Sequence, residues 1–145
     1  MKKILIIIPL FLLFNIDAQT KSNHIKQQKI MNNTTILNTA NENVSKGDYE
    51  SFLAYCTSDT KWVFVGERIL NGKEEVRAYM KEFYVEPPVF DVKLAIEDGD
   101  FVTVTGNISL KNKNGKFEHF DYCDIWRFEN GKIAELKAFV IEKKP

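Results

Sequence analysis

Hydrophobic residues repeat along this chain at two different intervals, and the change from one to the other divides it into two halves. Up to residue 83 the apolar positions recur every three or four residues. Ile30, Leu37, Ala40 or Asn41, and Val44 predict a first helix that ends at Gly47. Asp48 is placed to cap a second helix, whose stripe is Tyr49, Phe52, Leu53 and Cys56. Gly72 opens a third, with Val76, Tyr79, Met80 and Phe83 on one face, and Pro87-Pro88 forbid its continuation. Between the second and third helices, Trp62-Val63-Phe64-Val65 reads as a short strand closed by Gly66. After Pro88 the interval becomes two. Phe90, Val92, Leu94 and Ile96 alternate with Asp91, Lys93, Ala95 and Glu97. Asp98-Gly99, Asn114-Gly115 and Asn130-Gly131 are hairpin signals that join this strand to others over 101–110, 117–128 and 132–141. Helices followed by an antiparallel meander define an α+β fold.

Composition changes this picture at the N-terminus. The 145 residues are 44% hydrophobic, with eleven Phe, five Tyr and two Trp, which is enough apolar area for one core without metal or disulfide support. Part of that hydrophobicity is confined to the run Ile4 to Phe14, which follows Lys2-Lys3 and precedes the small residue Ala18. The pattern predicts a signal peptide over 1–18 cut after Ala18, a flexible polar N-terminus over 19–29, and a single domain over 30–141, secreted or periplasmic. Eleven positions interrupted by Pro9 fall short of the ~20 needed to cross a bilayer, so no stable membrane anchor is expected after cleavage. Removing two Lys and one Asp from the 20 basic and 20 acidic residues leaves 18 and 19, a net charge near −1. A chain this neutral, with no basic run, lacks the footprint of a nucleic-acid binder.

Candidate chemistry sits on the strand over 117–128, where alternation separates two rows of side chains. Phe120, Tyr122, Asp124, Trp126 and Phe128 form an aromatic row that should face the core, with Asp124 as a lone carboxyl among rings. Buried without a cation, such a group takes a proton or collects hydrogen bonds, which makes Asp124 the candidate catalytic acid. His119, Asp121, Cys123, Ile125 and Arg127 form the opposite, outward row. The last strand carries Leu136, Ala138 and Val140, whose modest size can leave room beside the aromatic row. With Trp62 and Phe64 of the early strand and Tyr79, Met80 and Phe83 of the third helix, these residues are the candidate pocket lining. The chain has no G-x-S-x-G, H-E-x-x-H, C-x-x-C or phosphate-cradling glycine loop, and its two His are isolated, so neither a metal site nor a cofactor is expected. Cys56 and Cys123 fall within apolar patterns and are read as unbridged.

The order of elements, ending in Asp124-Ile125-Trp126-Arg127-Phe128-Glu129-Asn130-Gly131-Lys132-Ile133, resembles the nuclear transport factor 2-like superfamily, which includes ketosteroid isomerases and SnoaL-like polyketide cyclases. The resemblance spans roughly 30–141. It implies a cone-shaped, bent antiparallel sheet packed against three N-terminal helices, an apolar pocket, and a homodimer formed through the sheet. Asp124 matches the isomerase acid that stays protonated and donates to a substrate oxyanion. The isomerase tyrosine would fall near Ala40 and its general base near Val63 or Phe64, none of which can do that work. Glu67 and Asp59 flank the early strand as solvated ends, and the His119 and Asp121 that a cyclase would use lie on the wrong row. The expected function is therefore binding of a small apolar or amphipathic ligand without a complete isomerase site. The alternatives are an isomerase, cyclase or dehydratase using Asp124 as general acid with Tyr122 or Tyr79, and a dimeric protein-interaction module.

Overall fold

A computed structural model describes residues 32–143. The signal segment 1–18, the polar stretch 19–29 and the place of Ile30 on the first helix lie outside the described residues. α1 (Asn33–Ser45) and α2 (Tyr49–Ala54) form where the helical interval holds. Both are capped by side chains: Asn32 accepts from the Thr35 amide at 2.8 Å, and Asp48 accepts from the Ser51 amide at 3.0 Å. Gly47 separates them with φ of 77°, a left-handed conformation that glycine adopts without strain. Cys56, expected on the stripe of α2, instead begins β1 (Cys56–Phe64), because the Thr- and aromatic-rich run from Thr57 favours extended backbone sooner than the stripe suggested. β2 (Arg68–Asn71) was not expected from the sequence, since four residues are too few to show a period. α3 (Gly72–Phe83) follows it directly.

The second half is the meander β3 (Val89–Asp98), β4 (Phe101–Lys111), β5 (Phe117–Glu129) and β6 (Lys132–Glu142). Asn130 and Gly131 both have positive φ, 49° and 71°, the conformation of the tight turn their dipeptide signals. All six strands join one sheet in the order β2-β1-β6-β5-β4-β3. The sheet is not wholly antiparallel: β1 runs parallel to β6, because the chain crosses the whole sheet through α3 and β3 before β6 returns beside it.

One face of the sheet is covered by the helices. Ile36, Leu37, Ala40 and Val44 of α1, Phe52 and Leu53 of α2, and Val76 and Met80 of α3 pack against Val102, Val104, Trp126, Phe128, Ile133 and Leu136. Glu97, at the far end of β3, closes this layer by accepting from the Asn33 and Thr34 amides at 3.1 and 2.9 Å. Those bonds satisfy the exposed amides at the start of α1, and the Thr34 hydroxyl and amide hold the Glu97 carboxyl below its ordinary pKa.

The alternation along β3 does not place its four apolar residues on one face. Phe90 and Val92 pair with Ile108 and Gly106, but the register shifts at Lys93, so Leu94 and Ile96 pair with Thr105 and Thr103 on the outer face. A one-residue bulge reverses every side chain beyond it. Gly106 accommodates the bent strand: a Cβ there would collide with the Asp91 carbonyl oxygen and stand 3.0 Å from the Tyr122 hydroxyl.

Candidate functional site

Strand register decides what surrounds Asp124. On the helix-covered face, Asp124 lies between Val104 of β4 and Ala138 of β6, with Tyr122 and Trp126 as its neighbours along β5. Neither cross-strand neighbour has a hydrogen-bonding side chain, and Ala138 is too small to fill the space above the carboxyl. The sheet curves away from the helices here and leaves a cavity of about 330 Å³. Asp124 borders it, and its Oδ1 is buried with no hydrogen-bond partner. Burial alone pushes the carboxyl up to about 7, with no cation beside it to hold the proton off.

The structure brings the sequence-predicted lining residues together around this cavity. Trp62 and Phe64 come from β1, Tyr79, Met80 and Phe83 from α3. Phe120, Tyr122 and Trp126 come from β5, and Leu136, Ala138 and Val140 from β6. Their rings meet edge to face: Trp62 lies 5.7 Å from Phe52 and 6.0 Å from Trp126, both nearly perpendicular. Tyr79 stacks on Phe83 at 4.7 Å and tilts against Phe64 at 4.8 Å. The Arg68 guanidinium sits over the Phe83 ring at 4.6 Å while donating to Glu67 at 2.8 Å. Glu67 thereby reaches the rim of the cavity, whereas Asp59 stays exposed on β1.

Tyr84 belongs to the site and escaped the sequence reading. It follows the last residue of α3, where its amide bonds the Met80 carbonyl at 3.0 Å, and its side chain lines the cavity. Burial, with Tyr79 and then Asp124 nearby, pushes its hydroxyl well above the usual tyrosine range. Val76, Met80 and Tyr84 continue the four-residue interval of α3, a signal that the approaching Pro87-Pro88 obscured. Ala40 on α1 is fully buried in the core and brings no hydroxyl to the cavity, whereas Tyr84 lines it from the end of α3. Asn41, one residue on from Ala40, adds an amide to the lining.

The outward row also lies as expected. His119 shares a 2.8 Å hydrogen bond with Ser109 on the outer face, and Asp121 is engaged there by Asn107 and by Lys143 at 3.1 Å. Neither reaches the cavity. No cluster of metal-ligating side chains occurs among the described residues, and both cysteines are free.

The family model for the SnoaL-like domain matches residues 38–136, which covers most of the chain and every strand of the sheet at least in part. The chain belongs to the SnoaL-like domain family. Solved structures share its fold. One, described as an NTF2-like protein of unknown function from Cytophaga hutchinsonii, is 24% identical with a TM-score of 0.61, covering 74% of this chain and 97% of that one. The epoxide hydrolase/cyclase-like enzyme SalBIII is 19% identical with a TM-score of 0.70, covering 79% of this chain and 92% of its own. TerC, co-crystallized with polyporic acid, is 18% identical with a TM-score of 0.64, covering 74% and 89%. No curated protein sequence matches this SnoaL-like domain. The nuclear transport factor 2-like architecture expected from the sequence is thus the one observed.

Proposed function

We propose that this SnoaL-like domain binds a small, largely apolar molecule in the cavity, with one polar atom of the ligand against Asp124. The observation that carries this reading is the unpartnered Oδ1 of Asp124 at a cavity walled by rings and aliphatic side chains. A buried acid without a partner costs stability, and packing alone supplies no reason to keep one there. The likeness to TerC, crystallized with polyporic acid, is in keeping with a small organic ligand.

A second reading, acid–base catalysis of the isomerase or cyclase type, is favoured by the Asp124 pKa of about 7. Near neutrality both protonation forms are populated, so the carboxyl can give a proton to a ligand oxygen or take one from an adjacent carbon. Tyr84 is the second polar group such chemistry would use, and SalBIII is a fold relative described as epoxide hydrolase/cyclase-like. Calorimetry with a panel of steroids, polyketides and fatty acids tests both readings. At least one compound is expected to bind, with an affinity that changes severalfold between pH 6 and 8 in the wild type and stays flat in Asp124→Asn. No binding across the panel would overturn the cavity reading, and turnover that survives Asp124→Asn would remove the acid from catalysis.

The outer face of the sheet supports pairing with a second copy. Leu94, Ile96 and Ile141 are 51%, 55% and 69% exposed there, and Phe139 stands beside Cys123. The centre of the face carries Thr103 and Thr105 between the apolar residues, with the exposed Lys137 beside Ile125. Arg127 pairs with Glu135 toward one end and Lys143 with Asp121 toward the other, so most of the charge at the two ends is already paired within the chain. Sedimentation is expected to show a dimer that Ile96→Lys converts to monomer. A wild-type protein monomeric at 100 µM (order of magnitude) would remove the homodimer.

A further inference from the structure

Asp124 is not the only polar group left unpaired at the cavity. Among the described residues four buried side-chain polar atoms lack a partner: Asp124 Oδ1, Trp62 Nε1, and the hydroxyls of Thr57 and Thr60. The two threonines do not border the cavity, whereas Trp62 and Asp124 both do. They are complementary in kind. The indole N–H is a donor only, while a carboxyl accepts when ionised and donates when protonated.

Register puts the two side chains on the same face. Trp62 pairs with Leu136, which pairs with Trp126, and the next inward row is Phe64, Ala138, Asp124. Trp62 and Asp124 are thus offset by two residues and one intervening strand, and the small Ala138 stands between them. Trp62 is almost fully buried and fixed by ring contacts with Phe52, Phe64 and Trp126. It has little freedom to turn its N–H elsewhere. Burying an unpaired donor costs about as much as losing a hydrogen bond outright, so two residues lining one cavity each carry such a cost.

Building on the binding function above, we propose that Trp62 is the second polar contact of this site, and that Trp62 and Asp124 together hold one ligand oxygen. The ligand class follows from the donor count. A hydroxyl accepts from the indole N–H and donates to the carboxylate, and a carbonyl accepts from the indole and from the protonated acid. An ammonium group has donors only and leaves Trp62 unpaired. A ligand carboxylate finds no cation at this depth, because the charged lining residues Glu67, Glu82, Lys113 and Glu118 are exposed at the rim and Lys111 is paired with Glu86. The site therefore selects a neutral alcohol or ketone with an apolar body.

Four probes with one common body separate these cases: tetralin, 2-tetralol, 2-tetralone and 2-aminotetralin, titrated calorimetrically into wild type and Trp62→Phe. The alcohol and ketone are expected to bind about tenfold more tightly than tetralin, and Trp62→Phe removes about that factor from them while tetralin stays within twofold. Should the Phe protein not fold, the wild-type indole resonances carry the same test. The Trp62 N–H signal, distinguished from the other Trp by Trp126→Phe, is expected to move downfield with 2-tetralone and to stay put with tetralin. Equal losses for all four compounds in Trp62→Phe, tightest binding of the amine, or an indole signal unmoved by bound ketone would overturn this role for Trp62 and leave the cavity reading standing. Failure of all four to bind would overturn the selection of a neutral alcohol or ketone by this pair, while the cavity reading stands or falls with the panel above.

Discussion

At pH 9 the Asp124→Asn protein is expected to be more stable than the wild type by roughly 2–4 kcal/mol, and at pH 4 that advantage is expected to be gone. Burial raises the carboxyl from its ordinary 3.8 to about 7, so the unfolded chain releases this proton at lower pH than the folded one. Below pH 3.8 the acid is neutral in both states and folding carries no penalty from its charge. Between 3.8 and 7 that stability is progressively lost, and above 7 the loss is complete. The full displacement corresponds to about 4 kcal/mol, and the buried amide of Asn has a smaller cost of its own, which sets the range. Urea unfolding at pH 4, 7 and 9 checks it. A wild type at least as stable as Asp124→Asn at pH 9 would show that the acid has a partner in solution. The same numbers bear on function: a substitution that strengthens the fold while weakening ligand binding is the behaviour of a residue kept for its chemistry.

The row that carries Asp124 is expected to respond very unevenly to truncation. Phe128→Ala should cost about 3–5 kcal/mol and Phe120→Ala no more than about 1–2 kcal/mol, though both are phenylalanines on one face of one strand. Phe128 is 1% exposed, packed with Ile133 beneath α1, whereas Phe120 borders the cavity and is only partly buried. Removing Phe128 leaves a hole that surrounding atoms cannot fill, while removing Phe120 enlarges a space that already exists. Chemical denaturation of the two proteins at one pH decides it. Equal losses would mean that the cavity end of the row is as tightly packed as the closed end.

Asp124 stood out in the sequence because it interrupts an aromatic row on a strand whose period and flanking Asn-Gly turns are plain. Tyr84 did not, because the prolines that follow α3 masked the interval continuing past Phe83. Trp62 was legible as an apolar wall, but an unpaired indole N–H is a property of its surroundings. It exists only because Phe52, Phe64 and Trp126 close around the ring and none of them offers an acceptor.

From the sequence by itself came the α+β class, the helix starts at Asn33, Tyr49 and Gly72 to within a few residues, the hairpin turns, and the inward placing of Asp124. These are local properties: side-chain period, caps and turn residues act over a few positions, and each leaves its mark in the residues that make it. Only the tertiary structure decided that β1 lies parallel beside β6, that β3 reverses its faces at Lys93, and that Tyr84 joins the cavity lining from the end of α3. Those outcomes depend on which distant segments meet and in what register. A one-residue shift in pairing, invisible in either strand alone, exchanges the buried face for the exposed one.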